Sequence, residues 1–435
     1  MIHSRKTTRT LGLLAGLALV GGGVAACSSS PSTDGGSPNA DAPVTLTMTV
    51  WGSDTDKQVY DKRLALAKQK YPNITVNLQL IGTDYDTKLD TMVAGGKAPD
   101  IMELAQEVNV YSSKGQLVDL TPYYKGTDLV STFGQANVDM YTTDGKLWAS
   151  PDRAGTEVLY YNKDMFDAAG VAYPTASWTW DDFRNAAMKL TKSSGDKTTQ
   201  WGYAAGDWWP WYMNWFKQNG GDILDSSGQP VINSPQNVEA LQFYNDLVLK
   251  DHAAPSPVDY ANAGLKNGQP DPLFSQGKLA MDTTGFWDVA SFDTASFNWG
   301  VAPVPQGVKQ ATAAFGDGFG VSSASRNKDA AAKVALFLSS AEGEAPIAET
   351  GEDVPANLTA VQSDAFTKAA WLKKPIDLSA FADSAKFAYT PPVIAQWTAI
   401  QTAFTNGLAD VYTGKKSVQD GLNDVQASVQ KLLTK

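Results

Sequence analysis

Leu46-Thr-Met-Thr-Val-Trp51 alternates apolar and polar residues, the period of a β-strand with one face buried. Gly52-Ser53-Asp54 breaks the pattern, and residues 56–70 then read as a helix with Tyr60, Leu64 and Ala67 on one face. A second alternating run, Ile74-Thr-Val-Asn-Leu-Gln-Leu80, follows Pro72. Residues 85–94 read as another helix, closed by Gly95-Gly96, and Pro99-Asp-Ile-Met102 leads into a third strand. Strand, helix, strand, helix, strand predicts a parallel sheet with helices on its faces, an α/β fold. Such sheets bind ligands at the carboxyl ends of their strands. That rule selects Trp51-Gly-Ser-Asp54 and Glu103-Leu-Ala-Gln106, whose Trp51, Asp54, Glu103 and Gln106 can stack on a ligand or bond its hydroxyls.

A second stretch carries the other chemical signal. Asp207-Trp-Trp-Pro-Trp-Tyr-Met-Asn-Trp215 holds four of the chain's 13 tryptophans. Four indoles at this spacing cannot all face one interior, and Pro210 is expected to interrupt any single helical or strand period. Some rings should therefore line a cavity or surface, where a flat apolar face with one N–H donor suits sugars, cations or nucleobases. The plain alternative is a Trp-rich hydrophobic cluster.

Composition narrows these ligand classes. The chain has 435 residues and a formal net charge of −11, which disfavours a nucleic-acid partner and so removes nucleobases. Its length predicts about two domains or lobes. Residues 1–26 read as a targeting leader: Arg5, Lys6 and Arg9 precede an apolar run from Leu11 to Val20, then small residues lead to Val24-Ala-Ala-Cys27. This resembles a bacterial lipoprotein signal, with Cys27, the only cysteine, as the lipidated residue. Removing the leader takes away three basic residues and no acid, moving the charge from −11 to −14. Residues 27–43, rich in Ser, Gly, Pro and Asp, are expected to form a flexible linker.

The residues offer little for catalysis. Beyond the leader there is one histidine, His252, and one cysteine, so no His/Cys zinc cluster and no Cys–His pair can form. No nucleophile elbow accompanies His252, and neither GxxxxGK[ST] nor GxGxxG is present. Gly316-Asp-Gly-Phe-Gly320 reads instead as a tight turn bringing backbone N–H groups and Asp317 to a cleft. A glycosidase needs only two carboxylates, and 46 acidic residues leave that reading open.

An ordered series of motifs adds a resemblance. Pro99-Asp-Ile-Met-Glu103, Asp144-Gly-Lys-Leu-Trp-Ala-Ser-Pro151, Leu159-Tyr-Tyr-Asn-Lys-Asp164 and Trp178-Thr-Trp-Asp-Asp-Phe183 come first. Phe274-Ser-Gln-Gly-Lys-Leu-Ala-Met-Asp282, Gly285-Phe-Trp287, Trp299-Gly-Val-Ala-Pro-Val-Pro305 and Phe315-Gly-Asp-Gly-Phe-Gly320 follow. From about residue 44 onward the chain resembles the family 1 extracellular solute-binding proteins. These are sugar-binding lipoproteins of ABC importers, similar to maltose-binding protein.

The resemblance implies two α/β lobes joined by hinge crossings, with the ligand in the cleft between them. The N-terminal lobe would comprise 44–150 and 303–348, and the C-terminal lobe 151–302 and 349–435. It implies a carbohydrate ligand, partner permease subunits with a cytoplasmic ATPase, anchoring at the outer face of the cytoplasmic membrane through Cys27, and no reaction. No cofactor and no metal are expected, and the protein is expected to act as a monomer. Stacking roles fall on at least two of Trp208, Trp209 and Trp211, on Trp287, and on Trp397 if it is not helix core. Trp215 reads as core. Asp54, Glu103, Gln106, Arg153 and Asp317 are the candidates for hydroxyls, although Arg153 reads equally as a hinge salt bridge. An aromatic cleft with acids also suits a polyamine or quaternary amine, and that alternative stays beside the sugar. Independently, Val418, Leu422, Val425, Val429 and Leu432 repeat as one helix face behind a Ser417 N-cap.

Overall fold

The computed structural model describes residues 42–105, 107–195, 197–204, 208–265 and 270–434. The leader, Cys27, the linker through Asp41, and Gln106 lie outside the described residues. The first elements follow the expected order: β1 (Val44–Trp51), α1 (Asp54–Lys70), β2 (Ile74–Ile81), α2 (Tyr85–Ala94) and β3 (Ile101–Leu104). β1 runs parallel to both neighbours, with Val44 opposite Ile74 and Met48 opposite Ile101.

The sheet is mixed, however, where a parallel one was expected. β4 (Ala149–Thr156) leads out of it into β5 (Val158–Asn162), and the chain returns much later. Between these lie helix α3 (Trp209–Gln218) and strands β6 (Met281–Thr284) and β7 (Trp299–Ala302). The returning strand, β8 (Thr312–Val321), lies antiparallel to both β3 and β4. A short strand, β9 (Ala388–Tyr389), pairs with the start of β8. β6, β5 and β7 form a separate antiparallel sheet. The result is two α/β lobes, one on each sheet.

Each lobe has its own core. In the first, Leu46, Met48, Val50, Ile101 and Phe319 pack under α1 and the helix Lys328–Leu338. The buried residues of α1 include Val59, Tyr60, Arg63 and Ala67; Leu64, expected there, is only half-buried. Arg63 is fully buried because its guanidinium is consumed: it pairs with Asp152 and donates to the carbonyls of Gly343 (2.9 Å) and Leu338 (2.8 Å). A charge can sit in a core only when paired and hydrogen-bonded in this way. In the second lobe, successive residues Tyr160 and Tyr161 are both buried. β5 is the central strand, and Tyr160 packs against Phe292 and Trp299 while Tyr161 packs against Phe166 and Tyr173.

Gly316–Gly320 departs from the tight turn read from its sequence, since it lies within β8. A Cβ on Gly316 would come within 2.7 Å of the Arg153 carbonyl, and one on Gly320 within 2.7 Å of Leu104 Cδ1. The glycines serve close strand packing rather than a turn. Helices α4 (Trp397–Tyr412) and α5 (Val418–Leu433) pack on one another, with Val418, Leu422, Val425 and Val429 buried. Ser417 Oγ accepts from the Asp420 N–H at 3.1 Å, the expected cap. Ser417→Ala should therefore lower unfolding free energy by about 1 kcal/mol, read as a lower denaturant midpoint at unchanged slope. No helix of the described residues is long and apolar enough to cross a membrane.

Candidate functional site

A cavity of about 640 Å³ opens where the carboxyl ends of β1 and β3 meet β4 and β8. On the first lobe's side Trp51, the last residue of β1, stacks on Tyr85 at the start of α2, with centroids 6.1 Å apart and planes 9° from parallel. Tyr85 is fixed from below by its hydroxyl, which donates to the carbonyls of Thr49 (3.0 Å) and Glu103 (2.8 Å). Trp51 itself is 56% exposed, a large indole offered to the cavity.

The opposing side is aromatic as well. Trp208, the N-cap residue of α3, stacks on Phe315 of β8 at 5.4 Å and meets Trp287 edge-on at 6.1 Å. Trp287 closes the triangle against Phe315 at 5.0 Å. Its ring lies across Gly285: a Cβ there would come 2.1 Å from Trp287 Cζ3. Gly285→Ala should therefore swing the indole off its seat and weaken ligand binding roughly tenfold, a tenfold change being about 1.4 kcal/mol, with Trp fluorescence reporting the moved ring.

Polar groups sit between the two aromatic faces. Glu103 is buried at the centre, receiving the Trp51 N–H at 2.6 Å, the Tyr60 hydroxyl at 2.7 Å and a guanidinium N–H of Arg153. Arg153 also donates to the Tyr60 oxygen (2.9 Å) and grips Glu352 through Nη2 (2.8 Å) and Nε (3.3 Å). Burial pushes the Glu103 carboxyl up to about 7 despite the facing guanidinium, with Asp317 adding to the push. Asp317, on the cavity side of β8, is pushed to about 6, again chiefly by burial. For Asp56, hydrogen bonds from Ser53 outweigh the upward push of burial and hold it below the ordinary value.

Of the residues singled out from sequence, Trp51, Glu103, Arg153, Trp208, Trp209, Trp287 and Asp317 line this cavity. Three others do not. Asp54 opens α1 and is exposed outside the cavity lining; its neighbour Asp56 lines it instead. Trp211 lies behind the lining, 5% exposed, its indole N–H donated to the Thr283 carbonyl at 2.9 Å. Trp397 is 1% exposed in the core, edge-on to Trp209 at 5.4 Å. For Trp211 the physical reason is that Pro210 opens α3 instead of breaking it, since proline fits the first turn. Trp209, Trp211 and Trp215 thus turn inward on one helix, and Trp208 alone of the four is not buried. Arg153 forms a buried salt bridge and also lines the cavity. His252 is exposed and lines no part of the cavity.

Sequence reasoning missed Tyr85, Asp86, Glu107, Phe315, Glu352 and Asp353. The first three follow strand ends, so the rule that selected Trp51 and Glu103 reached within a few residues of them. Among the described residues no group of three His, Cys, Asp or Glu is arranged to hold a metal ion.

The profile of the bacterial extracellular solute-binding proteins matches residues 51–345. The chain is 26% identical over 421 residues to the maltodextrin-binding protein of Bacillus subtilis (strain 168), spanning 92% of each. It is 25% identical over 407 residues to a maltooligosaccharide ABC transporter solute-binding lipoprotein of Streptococcus pneumoniae (strain ATCC BAA-255 / R6), spanning 87% of each. Among solved structures, an ABC substrate-binding protein of Listeria monocytogenes in complex with cycloalternan superposes with a TM-score of 0.82. That protein is 32% identical, and the match covers 90% of this chain and 99% of the other.

Proposed function

Because the chain belongs to the bacterial extracellular solute-binding proteins, we propose that it captures an oligosaccharide outside the cytoplasm and delivers it to the permease of an ABC transporter. The observation that carries this is the pairing of two aromatic faces, Trp51 with Tyr85 and Trp208 with Trp287 and Phe315, across a strip of carboxylates and one guanidinium. A sugar ring needs this combination, a flat apolar partner for its C–H face and charged acceptors for its hydroxyl rim. Two separate faces suit more than one ring. Relatives that bind maltodextrin, maltooligosaccharide and cycloalternan support the substrate class.

Capture proceeds by hinged closure. Ligand stacks on one lobe, and contacts from the second favour the closed form, whose surface engages the permease and its cytoplasmic ATPase. Pairing of β8 with β3 supports assigning 303–348 to the lobe of 44–150, leaving most of 151–302 and 349–435 to the other, although β4 continues the first sheet to Thr156 and β9 joins it at Ala388–Tyr389. The lipoprotein relative supports acylation at Cys27 and tethering at the outer membrane face. The receptor acts as a monomer and carries out no reaction on its ligand.

The test is thermal unfolding of the purified full-length chain against malto-oligosaccharides, other oligosaccharides, polyamines and choline-type amines. A true ligand at a hundredfold excess over its Kd adds about 2.7 kcal/mol of stability, so the midpoint rises, and the sugar is recovered intact. A rise with polyamines or quaternary amines alone overturns the saccharide reading. Recovery of cleaved sugar overturns the binding-protein reading in favour of a glycosidase.

A further inference from the structure

The cavity's charge is one-sided. Among its described lining residues stand seven carboxylates and a single cation, Arg153. Three of the seven already have partners: Glu103 and Glu352 share the Arg153 guanidinium, and Asp56 is hydrogen-bonded by Ser53. Asp353 stands 4.0 Å from Arg153 Nε and accepts the Val354 N–H at 2.7 Å; the remaining three, Asp86, Glu107 and Asp317, have no ion pair with a described side chain. Asp317 accepts no hydrogen bond from the described side chains, though it faces the cavity from within β8. All charged lining comes from the first lobe's strands and helices and from the segment holding Glu352 and Asp353. Facing it, the second lobe offers Trp208, Trp209, Phe286, Trp287 and the neutral Gln401.

We infer that this cavity selects saccharides carrying free, protonated amino groups, oligosaccharides of amino sugars, over neutral ones. The inference rests on the carbohydrate reading above and narrows it. Closing a neutral sugar onto the site shields three carboxylates, Asp86, Glu107 and Asp317, from water without supplying a countercharge, and an unpaired buried carboxylate either pairs or takes up a proton. An ammonium group in place of one ring hydroxyl supplies the missing charge and three N–H donors, while the sugar's C–H face still covers an indole. The acids behave as groups awaiting such a partner. Burial, with Asp86 nearby, pushes Glu107 up to about 7, and burial beside Glu352 drives Asp353 well above the usual carboxylate range. A cationic ligand draws these groups back to their charged forms, so its binding releases protons.

Calorimetric titration of the purified chain at pH 6.5 tests this with a glucosamine oligomer, its fully N-acetylated counterpart and a glucose oligomer of equal length. The amine-bearing sugar is expected to bind at least tenfold tighter than the other two, to weaken as salt is raised, and to release protons, seen as a heat that depends on buffer ionisation. In Glu107→Gln and Asp317→Asn the tenfold preference should shrink below about threefold, which ties the effect to these carboxylates. Equal or tighter binding of the acetylated or neutral sugar overturns the inference and leaves the saccharide receptor standing. Failure of every sugar, with heat from polyamines alone, overturns both.

Discussion

Trp287→Ala is expected to weaken saccharide binding about 30-fold, or roughly 2 kcal/mol, while lowering the unfolding midpoint of the free protein less than truncation of a fully buried indole would. The two effects separate because the indole is 40% exposed in the unliganded structure. Its contacts are the edge of Phe315, the edge of Trp208 and the backbone at Gly285. Truncation loses the covered part of the ring as stability, but the open face contributes nothing to the free protein. A bound ring, by contrast, covers the open face, and truncation loses that covered area together with the rigidity of the surface that receives it. Trp208→Ala should cost as much in binding and more in stability, since Trp208 additionally supports Trp209 and Trp211. The two rings touch, so the double variant should lose less than the sum of the singles. Calorimetry of wild type, both singles and the double measures this, and an affinity for the ligand within threefold of wild type in Trp287→Ala removes that indole from the site.

The sequence showed the first lobe's framework and the aromatic half of the site, but not how the halves are divided between elements. Alternation in 46–51 and 74–80 was decisive because one sheet face is buried and period two leaves no other register. β8 was opaque for the opposite reason: its glycines, placed for close strand approach, look like turn residues when read along the chain. The register shift between Asp317 and Gly318 hides the site further. Strict alternation would put Phe315, Asp317 and Phe319 on one face, yet the first two line the cavity and Phe319 is fully buried. Likewise the Asp207–Trp215 stretch announced exposed indoles correctly for Trp208 and wrongly for Trp211, because a proline that ends one helix in principle begins another in fact. Glu352 and Asp353 gave no local signal at all. Their role exists only because the chain, some 200 residues after Arg153, returns beside it (the separation is 199 for Glu352).

That return explains the second large effect. Arg153→Met is expected to destabilise the protein by about 3–5 kcal/mol near pH 8, because it leaves buried carboxylates with no countercharge. Arg153 holds Glu103 of β3 with one arm and Glu352, which follows the helix Ala341–Thr350, with the other, all three being buried or nearly so. The loss should shrink on acidification, and the sign follows from proton counting. In the wild type Glu103 already titrates at about 7, raised by burial above its ordinary 4.5. Without the guanidinium its folded-state pKa rises further, and that of Glu352 with it, while their unfolded values stay put. Between the unfolded and folded pKa values the native state binds more protons than the unfolded state, so stability falls as pH rises. At pH 5 both groups can fold as neutral acids that keep hydrogen bonds such as the one from Tyr60 to Glu103, and most of the penalty disappears. Denaturant unfolding of wild type and Arg153→Met at pH 5 and pH 8 checks this. A loss that is the same at both pH values would mean that Arg153 stabilises by packing against Tyr60, over whose ring its guanidinium lies at 5.2 Å, and not by charge. A pH-dependent loss would instead make this ion pair the clasp between β3 and the segment that carries Glu352 and Asp353.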